Sequence, residues 1–372
     1  MPTFTLWLVR PLLLIQPSWA MMVRVENESG FDEVDVSILD AMHVNPRVSF
    51  EKLGPALGLS PATVSRRWQR LAASGRAWVS SVPGPQVAVV GAVVEIGAVP
   101  GRAEAVARAL TELPHVVSVY LTSGEHDLVA LVFAAEMADL SALLIGIPGS
   151  LPHAARVRTH VGLAWYSDVH WRLGALSVGE ERTVRDGETP VRPSLSRGQE
   201  YSAEDHALYL ALQPDGRARY RDLAERLGVP EHLVRRRLAG LVRRDMLAFR
   251  TDFARSKGGW PAQVVLWLSV PGEGLHETGL AIGAWRETRI CLSVVGVANL
   301  FVMVQLHRLA ELCDLQVRLR SSLPSVTVVD ERVILRPVKS WGRLLDRDGH
   351  MTGLVPADPW TPITHVNLTE NC

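Results

Sequence analysis

Apolar positions recur at helical spacing soon after residue 30. Asp32, followed three residues later by Asp35, opens a run in which Val34, Ile38, Leu39 and Met42 share one face. Asn45-Pro46 ends it. Ser49 starts a second short run with Phe50, Leu53, Ala56 and Leu57. Gly58-Leu59 turns the chain, and Ser60-Pro61 opens a third helix, serine as cap and proline where no backbone donor is needed. In that helix Val64, Trp68 and Leu71 point inward, which leaves Ser60, Thr63, Ser65, Arg66, Gln69 and Arg70 on other faces. Gly75 closes it, and residues 77–80 read as a short wing strand.

The same pattern returns. Residues 31–79 and 201–249 align without a gap at a constant offset of 170, with identities that include Asp35/Asp205, Arg47/Arg217, Leu53/Leu223, Gly58/Gly228, Arg66/Arg236, Arg67/Arg237 and Leu71/Leu241. A fixed offset over so long a stretch marks a repeated unit. The copies differ. Copy one has Pro55 inside its second helix, where a backbone bond is lost. Copy two opens its third helix with Pro230, carries Leu233 where copy one has Thr63, and concentrates arginine at 235–237 and 243–244.

Each helical unit precedes a β-rich one. After residues 87–98, a β-rich run, comes a helix with Val106, Ala109, Leu110 and Leu113 on one face. Strands at 116–122 and 127–133, a helix at 136–145 and a strand at 155–164 complete a βαββαβ order, with Pro114 and Pro148-Gly149 as helix breakers. Matching elements follow copy two: Val99-Pro100-Gly101 against Val270-Pro271-Gly272, and Gly124-Glu125-His126-Asp127-Leu128 against Gly296-Val297-Ala298-Asn299-Leu300. The fold class expected is α+β, two copies of a winged helix-turn-helix followed by a ferredoxin-like domain.

The divisions expected are an extension at 1–30, helical units at 31–80 and 201–252, ferredoxin-like units at 86–165 and 261–338, a linker at 174–200 and a flexible tail at 339–372. The linker is polar and proline-containing. As a random coil it would span about 30 Å, close to the roughly 34 Å between DNA half-sites one turn apart.

Three short helices with a polar, arginine-bearing outer face on the third suit a DNA major groove: the helix fits the groove, its N-terminal side chains reach base edges and nearby arginines hold phosphates. A plain three-helix packing unit with solvated arginines is the alternative. On this reading Ser60, Thr63, Ser65, Arg66, Gln69 and Arg70 contact DNA from copy one, the better equipped for reading bases, and His232, Arg235, Arg236 and Arg243 contact it from copy two, mainly at phosphates.

The run Leu53-x4-Gly58-Leu59-Ser60-x3-Val64-x2-Arg67-x3-Leu71-x3-Gly75, followed by the Val-Pro-Gly and Gly-x-x-Asp-Leu elements, resembles the Lrp/AsnC transcriptional regulators. The resemblance covers residues 31–165 and again 201–338. It implies double-stranded DNA as a partner, an amino-acid-like effector bound among loops of the βαββαβ units, and self-association. Members usually carry one copy per chain, so this one resembles two subunits fused. The effector loops map to Gly101, Gly124 and Asp127, and to Gly296 and Asn299, where an amide replaces the carboxylate that would meet an ammonium group. A tight turn at Gly124 and a turn-capping bond from Asp127 are the structural alternatives.

Composition changes little. Basic and acidic residues balance at 39 each, so any polyanion contact is local. Lysine occurs at Lys52, Lys257 and Lys339 alone, a bias that weakens arginine clusters as a signal. Three scattered cysteines fit a reducing compartment, and a cytoplasmic bacterial protein is expected. The apolar stretch 1–20 is broken by Arg10-Pro11 and lacks a basic start, so translation from Met21 or Met22 is the expectation over a cleaved leader. No catalytic, cofactor or metal motif stands out, and no enzyme activity is expected. The alternative is a tetrapyrrole enzyme: sirohaem decarboxylases are similar in architecture, and His126, His160 and Arg289 are the side chains one would place at such a site.

Overall fold

Asp32 caps the first helix, α1 (Glu33–Val44), by accepting the Asp35 N–H at 2.8 Å, while Asp35 reaches back to the Asp32 N–H. Ser49 caps α2 (Phe50–Ala56), and Ser60 caps α3 (Pro61–Ala73) through the Thr63 N–H at 3.1 Å. Gly58 turns the chain between them at a φ of +65°, which glycine alone adopts without strain. The computed structural model describes residues 31–167, 171–185 and 198–363. The N-terminal extension, residues 1–30, lies outside these, as do much of the linker and the last residues of the tail.

A strand β1 (Ala77–Pro83) follows, then β2 (Val90–Ala98), α4 (Ala103–Thr111), β3 (Val116–Thr122), β4 (Leu128–Ala134), α5 (Met137–Ser150) and β5 (Ala154–Trp165). The expected βαββαβ order is therefore present. α5 runs through Pro148, which was expected to end it; the proline falls in the last turn, and Leu151 N–H closes on Ile147 O at 3.1 Å. The order recurs in the second half: α7 (Ala203–Ala211), α8 (Tyr220–Leu227), α9 (Glu231–Arg243), β6 (Leu247–Phe253), β7 (Ala262–Ser269), α10 (Leu275–Gly283), β8 (Thr288–Val294), β9 (Leu300–Leu306), α11 (Glu311–Ser322) and β10 (Thr327–Ser340). Ser202 and Asp205 rebuild the capping box, and Gly228 repeats the φ of +65°.

The wing strand expected at 77–80 is present as β1, and it pairs antiparallel with β6, with Ser80 opposite Arg250. These two positions are 170 apart in sequence, so the pairing turns about its own midpoint and relates the two heads by an approximate two-fold axis. Both heads share one apolar core, in which Ile38, Leu53 and Leu71 meet Leu208, Leu223 and Leu241.

The β-rich units also join. Eight strands close in the order β3-β4-β2-β5-β8-β9-β7-β10 and back to β3. β5 crosses to β8 with Gly162 opposite Val294, and β10 crosses to β3 with Ile334 opposite Thr122, the positions 172 further on. Two ferredoxin-like sheets have thus become one barrel-like ring. Val93, Leu131, Val265 and Met303 fill its inside with Val82 and Ala248 from the head strands, and α4, α5, α10 and α11 cover its outside.

Two further expectations need correction. The linker is not a coil throughout: α6 (Val178–Arg185) lies on α1 and α2, buries Val184 and receives the Asn45 side chain on Val184 O at 3.2 Å. Asp40 fastens the approach, accepting the N–H groups of Leu173, Ala175 and Leu176 at 2.7–3.0 Å. Nor is the tail a frayed extension over 339–363. β11 (Arg343–Leu345) and β12 (Met351–Leu354) form a hairpin, Arg343 is buried with Nη2 bonded to Gln213 O at 2.6 Å, and Tyr209 Oη donates to Ala357 O at 2.6 Å. The wide spacing of these partners in sequence is why local composition concealed them.

Candidate nucleic-acid interface and effector loops

The double arginine of each third helix divides its work. Arg67 turns inward, to Asp32 at 2.6 Å and Asp35 at 3.0 Å, and its pKa is raised chiefly by the bond to Asp32. Arg237 does the same with Asp205 at 3.0 Å and Ser202 at 3.2 Å. The repeated Asp35/Asp205 and Arg67/Arg237 identities are therefore internal struts between the first and third helices. Arg66 and Arg236 point outward, and among the described residues no hydrogen bond or ion pair holds either.

The other expected DNA residues fall around these two. Gln69 is exposed on α3, with Nε2 3.4 Å from Ser65 Oγ, and Arg70 is exposed while paired with Asp35 at 2.6 Å. Ser60 and Thr63 are tied to each other, oxygen to oxygen at 2.9 Å, so they set the helix start and keep one polar edge outward. On α9, His232 and Arg243 are exposed, and Arg235 pairs with Glu231 at 2.9 Å and lies 4.5 Å from the Tyr220 ring centre. Pro230 offers no cap to α9. Among the described residues the surface offered is a helix edge with Arg66 outward in copy one and Arg236 and Arg243 outward in copy two.

What holds the two edges in register is a pair of arginines missed as structural from sequence. Arg47 donates to Gly216 O and, at 3.1 Å, to Ala218 O. Arg217 answers with Pro46 O at 2.6 Å and Val48 O at 2.8 Å, positions 170 earlier. Each guanidinium lies over aromatic rings of a head, Arg47 over Tyr220 and Phe249, Arg217 over Phe50 and Trp68. Burial lowers the Arg217 pKa to about 10, with the Arg47 charge adding to the effect, so both stay charged near neutrality.

The loops expected to bind effector are arranged in matching pairs. Asp127 Oδ2 accepts the Ala98 N–H at 2.8 Å, and Asn299 Oδ1 accepts the Val270 N–H at 2.8 Å. Asn299 also donates to Val270 O at 2.8 Å, so both side chains staple a loop to a strand end. Gly101 lies on an open turn at a φ of +76°. Gly124 and Gly296 approach a buried polar cluster from two sides: a β-carbon on Gly124 would sit 3.3 Å from Arg332 Cδ, and one on Gly296 would sit 3.7 Å from His160 Nδ1. His160 and Arg332 both face Glu95, at 3.0 Å and 2.6 Å, and Trp267 Nε1 donates to it at 3.1 Å. Burial pushes the Glu95 pKa up, but the His160 bond and the Arg332 charge prevail and lower it. His126 lies beside them, fully buried, with neither ring nitrogen hydrogen-bonded, and burial lowers its pKa.

Glu95 escaped the sequence reading, although a lone carboxylate in the apolar run Val93-Val94-Glu95-Ile96 was its signal. Arg289, considered with His126 and His160, lies elsewhere: it stacks 4.6 Å from the Trp171 ring centre, and its charge is felt with those of Arg250, Arg255 and Asp252. Among the described residues no group of three or more His, Cys, Asp or Glu could hold a metal ion, and no helix is long and apolar enough to cross a membrane.

Comparison with known proteins agrees with this geometry. The AsnC-type helix-turn-helix domain matches residues 31–72, and the Lrp/AsnC ligand binding domain matches residues 91–168. The HTH-type transcriptional regulator Ptr1 of Methanocaldococcus jannaschii is 30% identical over 120 residues, 30% of this chain and 78% of that protein. An uncharacterized HTH-type transcriptional regulator of Pyrococcus abyssi is 26% identical over 155 residues, 41% of this chain and 96% of its own length. Across both halves the fold is similar to the crystal structure of the siroheme decarboxylase NirDL, with a TM-score of 0.51 at 14% identity, covering 83% of this chain and 93% of that one. With an outward arginine on an AsnC-type third helix, a matching ligand binding domain and a relative covered over most of its length, the chain belongs to the Lrp/AsnC family of helix-turn-helix transcriptional regulators.

Proposed function

We propose that this regulator is two family subunits fused in tandem, and that one chain presents two recognition helices to successive major grooves of a single duplex. The observation that carries this is the head interface. β1 pairs with β6 about Ser80 and Arg250, and Arg47 and Arg217 clasp the opposite heads, so the outward Arg66 and Arg236 are held in fixed relation. On this reading the operator is pseudo-palindromic, with half-sites about one helical turn apart. Copy one, with its Ser60 cap and Thr63, reads bases; copy two, with Arg235, Arg236 and Arg243, holds phosphates. The Gly124 and Gly296 loops over the Glu95 cluster take a small-molecule effector, amino-acid-like in class, which shifts head spacing or self-association. The setting is the cytoplasm of a bacterium, and the protein does no chemistry.

The test is a footprint and gel-shift series on genomic fragments across a salt range. One chain per duplex protecting two half-sites supports the fusion reading. Two chains per duplex, each using copy one alone, would refute it. A second reading, a tetrapyrrole enzyme on this architecture, draws support from the likeness to the siroheme decarboxylase fold. The separation of Arg289 from His126 and His160 weighs against it, and a haem-like absorption band on the purified protein would revive it.

A further inference from the structure

Between the head strands and the ring lie two cavities in corresponding places. The first, about 350 Å³, is lined by Ala248 of β6 and by Phe133, Gly162, Ala164 and Trp165 of the ring. The second, about 100 Å³, is lined by the residues at matching positions: Trp78 for Ala248, Gln305 for Phe133, Ile334 for Gly162, Arg336 for Ala164 and Pro337 for Trp165. Leu345 and Arg347 of the C-terminal hairpin narrow it further. One place in the fold has been emptied and made apolar in one half, and filled in the other. Interiors pack closely, and unfilled apolar space costs stability, so an open cavity of this size needs a reason.

Its wall carries a cation. Arg250 is 4% exposed, lines the cavity and lies 5.4 Å from the Trp341 ring centre. Its Nε is 3.5 Å from Asp252, whose oxygens are already taken by Arg255 at 2.7–2.8 Å. Arg289, 2% exposed, belongs to the same buried cluster, and none of its three nitrogens has a hydrogen-bond partner. Three guanidiniums thus face one carboxylate, and a buried excess of positive charge calls for an anion. No Asp or Glu lines the cavity among the described residues, so nothing there would receive an ammonium group.

We propose that this cavity binds a compact apolar monocarboxylate, its carboxylate on Arg250 and its hydrocarbon or aromatic body against Phe133, Trp165 and Trp341. The volume fits a small ligand of this kind. The proposal deepens, and as a regulatory site rests on, the reading of the chain as a ligand-responsive regulator. A ligand here touches both the head strands and the ring, and so couples occupancy to the placement of the recognition helices.

The test is calorimetric titration of the full chain, without DNA, using 3-phenylpropanoate. Saturable binding at millimolar concentration or below, one molecule per chain, is expected. The neutral 3-phenylpropanamide and the zwitterion L-phenylalanine bind at least about tenfold more weakly, and Arg250→Met loses about the same factor. Ala248→Trp, which installs the side chain of the filled cavity, abolishes binding, while Trp78→Ala leaves it unchanged. No saturable binding of 3-phenylpropanoate, equal binding of the amide, or full affinity in Arg250→Met overturns the assignment. Should Ala248→Trp fail to fold, Arg250→Met with a wild-type circular dichroism spectrum decides. DNA binding is measured separately on the same samples: ligand binding without DNA binding overturns the regulator and keeps the cavity, and the reverse overturns the cavity and keeps the regulator.

Discussion

Replacing Arg217 with methionine removes one half of the clasp between the heads while keeping an unbranched apolar stem over Phe50 and Trp68. Two charge-assisted bonds are lost, to Pro46 O at 2.6 Å and Val48 O at 2.8 Å. At a net of ~1.5–3 kcal/mol each, they set a ceiling of roughly 6 kcal/mol. Burying the charge opposes them. A pKa lowered from 12.5 to about 10 corresponds to a penalty of roughly 3 kcal/mol that the methionine relieves. The bonds win, because the two carbonyls stay behind without donors, and the expected net loss is about 3 kcal/mol. Urea unfolding followed by tryptophan fluorescence reads this as a lower midpoint at unchanged slope. Arg47→Met should cost a similar amount. The double variant should cost less than the sum, since each arginine grips the backbone on either side of the other. An Arg217→Met midpoint within about 0.5 kcal/mol of wild type, or strict additivity, would sink the clasp.

Arg66→Ala should weaken DNA binding and lower the slope of log affinity against log salt by about 0.9 per lost phosphate contact, with no change in urea midpoint; Arg67→Ala should instead shift the midpoint by ~1–2 kcal/mol, and equal midpoint shifts in both would contradict the division of labour. His43 is held down to about 3 by burial first and by the Arg289 charge second, against 6.5 when unfolded. Its stabilising contribution is therefore complete above 6.5 and lost as pH falls toward 3, and His43→Phe should flatten the acid limb of the stability curve; an unaltered limb refutes this. Lys339, bonded to Thr111 O and Leu113 O at 2.9 and 3.0 Å, is lowered by burial to about 7. The unfolded chain then holds the proton through the window from about 7 to 10.5, so stability should rise with pH across it. Lys339→Met should remove that rise, as pH-dependent urea midpoints would show.

Local chemistry made the helices legible. Asp32, Ser49 and Ser60 cap where they were expected to, and Val64, Trp68 and Leu71 are the buried face of α3. The strand order was legible for the same reason, since alternation and turn residues act over a few positions. What stayed hidden depends on partners far away in sequence. Arg47 and Arg217 stood out in the sequence only as a repeated identity, because composition does not distinguish a solvated guanidinium from one clasping carbonyls 169 and 171 residues away. The ring closure, the docking of Val184 and the burial of Arg343 are likewise long-range. At the candidate site, Gly124 and Gly296 were named through the repeated Gly-x-x-Asp-Leu element and its resemblance to the family's effector loops. Glu95, Arg332 and Arg250 were not, since what makes them notable is their surroundings.

The closed ring has a consequence for how the protein is made. β3 is translated about two hundred residues before β10, the strand that seals its outer edge. β5 likewise waits for β8. While the first half is complete and the second is still emerging from the ribosome, it carries two open strand edges and an uncovered apolar inner face around Val93 and Leu131. Exposed edges of this kind pair readily with other chains. The nascent first half is therefore sticky toward its like for as long as synthesis continues. A slow stretch of codons after residue 165 would lengthen that interval and favour pairing between neighbouring ribosomes over closure within one chain.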